Sequence, residues 1–80
     1  MDNIIQLDIP VYEVIQAHPE VRDILIEAGF TPLANPMMLN TVGKITSLNQ
    51  GAKRIRLPLE KLIQLLEWNG YEVKGASQHD

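Results

Sequence analysis

The sequence contains no cysteine, which excludes a disulfide framework, thiol catalysis and cysteinyl zinc or iron–sulfur sites. Aromatic side chains are scarce, with one Trp, one Phe and two Tyr in 80 residues. No apolar run approaches the roughly 18 residues that a membrane-spanning helix needs. An excess of positive charge is also missing. The formal net charge is −3, the opposite of the basic balance that general nucleic-acid binders carry. The opening Met1-Asp2-Asn3 places no positive region ahead of its short apolar patch, so it does not read as a secretion signal. A cytoplasmic location without membrane association is the expectation.

What remains is enough for one small domain. Forty-five per cent of the residues are hydrophobic, and a chain of this length buries about 60–65% of its unfolded surface. The segment from Asn3 to Asp8 reads as extended, with Ile4, Ile5 and Leu7 around Gln6. Asp8 is placed to cap a first helix over about Pro10–Ala17, whose inward stripe is Val11, Val14 and Ile15. His18 precedes Pro19 and ends that helix, because a residue before proline is pushed out of helical dihedrals. A second helix starts at Pro19-Glu20, buries Val21, Ile24, Leu25 and Ala28, and stops at Gly29.

Later in the chain, Ser47-Leu48-Asn49-Gln50 has the spacing of a capping box, although Gly51 inside the helix that follows is a poor helix former. A last helix opens at Pro58 and closes at Gly70, with Leu59, Leu62, Ile63 and Leu66 on one face. Leu65 lies at the border of that face and Trp68 nearly opposite it. Trp68 is then either an exposed interface anchor or packed beneath the N-terminal strand or the tail. Tyr71-Glu72-Val73 alternates like a short strand and can pair with Ile4–Leu7. Residues 1–74 therefore read as one domain and 75–80 as a disordered polar tail. The predicted fold is all-α, a compact orthogonal bundle of about five short helices with a short strand pairing between the termini. Its predicted core is Val11, Val14, Ile15, Val21, Ile24, Leu25, Ala28, Phe30, Leu39, Leu48, Leu59, Leu62, Ile63 and Leu66.

Between the front and back helices lies an irregular stretch from Gly29 to Gly43. Asn35-Pro36 reads as a cap followed by a first-turn proline, so Met37 to Val42 form one or two helical turns. Met37, Met38 and Leu39 are predicted to plug the space between the helix pairs, since methionine fills irregular gaps. A competing possibility is a ligand pocket among Phe30, Leu33, Met37 and Met38 with polar lips from Asn35 and Asn40.

Val11-Tyr12-Glu13-Val14, His18-Pro19-Glu20-Val21 and Ile24-Leu25-Ile26-Glu27-Ala28-Gly29-Phe30 together resemble the hybrid-cluster-protein-associated redox disulfide domain. The resemblance runs from about Ile4 to Val73 and implies a small helical domain of unassigned function. In that family a two-cysteine motif follows the Gly-aromatic stop, near the positions of Pro32 and Asn35 here. Without thiolates the family's redox role is not carried over. The stretch from Ala34 to Gly43 resembles a cysteine-free branch found beside PAS or hemerythrin-like sensor regions. The chain is also similar to the N-terminal domain of iron–sulfur cluster repair proteins. The partner so implied is a PAS or hemerythrin-like sensor protein.

Other chemistries fail on spacing. Gly43-Lys44 lacks the glycine five residues earlier and the hydroxyl after lysine that a phosphate loop needs, since those positions are Met38 and Ile45. His18 and His79 have no second metal ligand one helical turn away. No glycine-flanked serine elbow occurs. Lys53, Arg54 and Arg56, with Lys44 and Lys61, form a local basic cluster that reads as a solvated face, nucleic-acid binding being the outside alternative. The leading expectation is a non-enzymatic interaction or regulatory module without a cofactor, docking another protein or a second copy of itself. A small-ligand or redox-linked sensor built on the central loop is the alternative. The candidate residues are Asn35, Met37, Met38, Asn40, Leu65 and Trp68.

Overall fold

In a computed structural model the described residues are 3–76. Ile5 and Leu7 alternate with exposed Gln6, and this alternation makes β1 (Ile4–Gln6) a strand with its apolar side chains inward. It pairs with β2 (Glu72–Lys74) in the register Ile4 to Glu72, Ile5 to Val73 and Gln6 to Lys74. The strands run parallel, so the helices between them are the crossover that parallel pairing requires. The fold is thus mostly helical with a small two-stranded sheet, and the all-α expectation is corrected to that extent.

The helices are α1 (Val11–Ala17), α2 (Val21–Ala28), α3 (Pro36–Thr41), α4 (Leu48–Arg54) and α5 (Leu59–Trp68). Short 3-10 turns at Thr31–Ala34 and Val42–Lys44 flank α3. The longest helix has ten residues, about 15 Å at 1.5 Å per residue. The molecule measures 31 × 28 × 20 Å, so no helix spans it as in a long up-down bundle. No helix among the described residues is long and apolar enough to cross a membrane.

Local chemistry accounts for most of the boundaries. His18 leaves the helical region at φ −137°, ψ 77°, as its place before proline requires. Ser47 and Gln50 form the full capping box: the Ser47 hydroxyl accepts from the Gln50 N–H, and the Gln50 side chain accepts from the Ser47 N–H. Asp8, expected to cap α1, does not. The capping position is Pro10, and the free Val11 N–H donates instead to the Thr46 carbonyl at 2.9 Å. Extended backbone at Pro10 lies against Ser47, so a tertiary contact satisfies the amide.

Three helices end with the same paired hydrogen bonds. After α2, Phe30 N–H donates to Leu25 O and Gly29 N–H to Ile26 O. After α5, Tyr71 N–H reaches Leu66 O and Gly70 N–H reaches Glu67 O. After α4, Leu57 N–H reaches Ala52 O and Arg56 N–H reaches Lys53 O. This motif turns on a left-handed residue that is usually glycine. At the end of α4 that residue is Arg56, at φ 60°.

The core is centred on Ile5, Leu7, Val21, Leu25, Leu48, Leu62 and Leu66, all fully enclosed. Ile5, Leu7, Leu33 and Ala52 join the predicted core, while Ile24, Ala28, Leu39, Leu59 and Ile63 are only half-buried at its edge. Of the predicted tail, Ala76 packs against the core and the Gly75 carbonyl accepts from the Asn49 side chain at 2.8 Å. Residues 77–80 lie outside the described residues.

Candidate functional site

The central stretch folds locally as its residues dictate but does not fill the core as predicted. The Asn35 side-chain oxygen accepts from the Met37 N–H at 2.9 Å, and Pro36 sits in the first turn of α3. No residue of α3 is buried. Met37 is 72% exposed and Met38 38%, so neither is the predicted plug. That space belongs to Phe30 and Leu33, both buried. The turn carrying Leu33 is pinned from α2, where the Arg22 guanidinium donates to the Leu33 carbonyl at 3.1 Å and to Ala34 O at 3.4 Å. Sequence patterning gave Arg22 only a place on the polar face of α2. No local signal in the sequence marks this long-range contact, which spans eleven residues.

An apolar recess of about 210 Å³ opens beside this turn. Phe30 and Leu33 line one side, Met38 and Val42 another, and Ile55 with Arg54 a third. The sequence-predicted pocket is therefore partly realised. Phe30, Leu33 and Met38 contribute, whereas Met37, Asn35 and Asn40 do not line it. Asn35 is committed to its cap and Asn40 is exposed on α3. The polar groups at the lip are Thr46 and Arg54 instead. Gly51 also lines this recess, and its bare backbone admits the Phe30 ring: a Cβ there would lie 2.7 Å from Phe30 Cε1. Gly43, read against a phosphate loop, is buried because the turn it belongs to packs on α1. A Cβ at Gly43 would meet Leu39 at 3.0 Å and the Tyr12 backbone at 3.6 Å. The neighbouring Lys44 ammonium sits 4.9 Å from the Tyr12 ring centroid.

A second, more open recess of about 270 Å³ lies along α5, lined by Ala28, Leu57, Lys61, Gln64, Leu65 and Trp68. The last four follow the i, i+3, i+4, i+7 spacing of one helical stripe. Trp68 is 85% exposed, which decides between its two possible environments. Leu65 is half-buried. This helix therefore carries two apolar side chains, Leu65 and Trp68, outside its buried Leu62 and Leu66. The two recesses come close at one point, where Ile55 of the first approaches Gly29, the chain neighbour of Ala28 in the second; a Cβ on Gly29 would be 3.2 Å from Ile55 Cδ1.

A polar cluster ties the first helix junction to the end of the chain. The Tyr71 hydroxyl donates to Glu20 at 2.6 Å, His18 Nδ1 lies 3.7 Å from the same oxygen, and the His18 and Tyr71 rings meet edge-to-face at 5.6 Å. The Tyr71 hydrogen bond, then a backbone N–H, hold the Glu20 carboxyl below its usual range. Desolvation, then the Glu20 carboxylate, push Tyr71 up to about 12. This cluster fastens β2 to the bend between α1 and α2. Among the described residues, no three His, Asp or Glu side chains converge to hold a metal ion.

Comparison with known proteins agrees with this architecture. A crystal structure of a conserved domain protein from Streptococcus pneumoniae TIGR4 is similar, with 57% sequence identity and a TM-score of 0.92. The match covers 96% of this chain and 98% of that one. No curated protein shows significant similarity. Residues 5–63 match the family described as Domain of unknown function (DUF1858), most of the length of the chain. On that match, and on a fold shared almost end to end with the streptococcal domain, the chain belongs to the DUF1858 family.

Proposed function

We propose that this domain is a non-enzymatic docking module of the cytoplasm, acting beside a redox- or iron-linked sensor of PAS or hemerythrin-like type. The observation that carries the reading is Trp68. A tryptophan 85% exposed beside Leu65 and a recess is the kind of large apolar anchor that interfaces concentrate. The resemblance to the hybrid-cluster-associated domains supports the identity of the partner. The turn that holds paired cysteines in those relatives carries Pro32 and Asn35 here, and Asn35 serves as a helix cap. Thiol chemistry has no donor at that turn, while the surrounding apolar surface remains.

The competing reading, a small-ligand sensor at the central loop, is weaker on volume. A recess of about 210 Å³ falls short of the roughly 300–1,000 Å³ that encloses a drug-sized ligand. The docking reading is tested by placing a photo-crosslinking amino acid at Gln64 in the cells that make the protein. A discrete crosslinked product that disappears with Trp68→Ala is expected. A product of unchanged yield in that variant refutes the assignment of this surface.

A further inference from the structure

We infer that the two recesses together seat one acidic amphipathic helix of the partner, an inference that rests on the docking reading above. Ile55 of the first recess approaches Gly29, the chain neighbour of Ala28 in the second, so the two cups lie close at that contact. Each is smaller than a pocket for a drug-sized molecule. Two neighbouring cups of this size suit large apolar side chains projecting from one helix face, one or two turns apart. The walls are helices, two 3-10 turns and short connecting segments, and no residue of β1 or β2 lines either recess. An extended peptide would therefore gain no main-chain hydrogen bonds here, and a helix, which satisfies its own, loses nothing.

Charge selects the partner's polar flanks. The two charged residues lining the recesses, Arg54 in one and Lys61 in the other, are both cationic. Over the whole chain, acidic residues outnumber basic ones ten to seven, so the local sign runs against the average. The nearest carboxylates in sequence, Glu27, Glu60 and Glu67, line neither recess. Lys53 and Arg56 stand beside Arg54. Arg56 occupies a left-handed position of a kind that Gly29 and Gly70 take after α2 and α5. A second copy of this chain, acidic overall but cationic on this face, is the poorer complement, because like charges would meet across a symmetric interface.

The single tryptophan makes the test direct, since emission in the protein arises from Trp68. Two synthetic 16-residue helical peptides without tryptophan are titrated into the full chain. They share a leucine face at i, i+4 and i+7 and differ in carrying glutamate or lysine on the flanks. The glutamate peptide is expected to shift Trp68 emission to the blue and to bind at least tenfold more tightly than the lysine peptide. The Arg54→Glu, Lys61→Glu double variant, both positions being exposed, is expected to invert that preference. Equal binding of the two peptides, no binding of either, or an uninverted preference in the variant overturns the inference. So does a blue shift that grows with protein concentration alone, which would put a second copy in the site. The Gln64 crosslink separates the levels: a Trp68-dependent product with no peptide preference leaves docking intact and removes only the acidic helix.

Discussion

Gly51→Ala should destabilise this domain, against the ordinary expectation for a glycine inside a helix. In a solvated helix the change gains about 1 kcal/mol, because alanine restricts the unfolded chain and favours helical dihedrals. Here the new Cβ would lie 2.7 Å from Phe30 Cε1 and 3.5 Å from Cδ1, well inside contact distance. Phe30 is buried, so its ring must turn into the neighbouring recess or α4 must move outward. Overpacking of this kind costs about 1–3 kcal/mol. Setting the two against each other leaves a net loss centred near 1 kcal/mol, or about 4–8 °C in Tm for a domain of this size. Urea melts of the parent and variant, with Tm from circular dichroism, measure it. The companion Phe30→Leu removes the obstructing ring edge, so Gly51→Ala in that background should turn stabilising by up to about 1 kcal/mol. A Gly51→Ala protein more stable than its parent, or no coupling between the two positions, would refute the packing argument.

Three further outcomes follow from the structure. Leu62→Ala, at a fully enclosed position, should lose about 2–5 kcal/mol in a denaturant melt, whereas exposed Met37→Ala should stay within about 0.5 kcal/mol; equal losses would mean α3 packs more closely than described. Tyr71→Phe should flatten both ends of the stability–pH curve. Glu20 is depressed, so its contribution is present above its unfolded value of 4.5 and is lost as pH falls through the folded one. Tyr71 is raised, so its contribution is present below its unfolded value of 10.0 and is lost as pH rises to about 12. Melts across both windows, compared with the parent, show whether that hydrogen bond is the source. Arg56→Gly should raise stability by about 1 kcal/mol by relieving a left-handed arginine, and an unchanged or lower Tm would mean the arginine makes a compensating contact.

The elements legible in the sequence were those whose signals are local. The apolar stripes of α2 and α5, the cap at Asn35 and the box at Ser47 each lie within one or two turns of chain, and the structure reproduces them. Ile5 and Leu7 went unassigned to the core because three residues of alternation do not distinguish a strand from irregular chain. Their burial depends on a partner strand more than sixty residues away. The end of α4 was hidden for another reason: its left-handed stop is Arg56, and no glycine marks it. The methionine plug failed because residue type does not fix direction on a six-residue helix whose contribution to the core is half-buried Leu39. Of the candidate site, Trp68 was legible as an apolar residue on the polar side of α5, with Leu65 at the border of the apolar face. The recesses were not, since each is bounded by segments distant in sequence.

The pairing of β1 with β2 also decides how the domain would carry load. Because the strands are parallel, tension applied through the flanking chain pulls β1 back along its length and β2 forward along its own. The bonds from Glu72 N–H to Asn3 O and from Leu7 N–H to Lys74 O then lie across the pull and are strained together. An antiparallel pair stretched from its ends would open one rung at a time, like a zip. Although the sheet is only three residues long, its geometry is that of a shear clamp. Tethered between two other bodies, such a domain would hold its shape under tension until the whole clasp gave way at once.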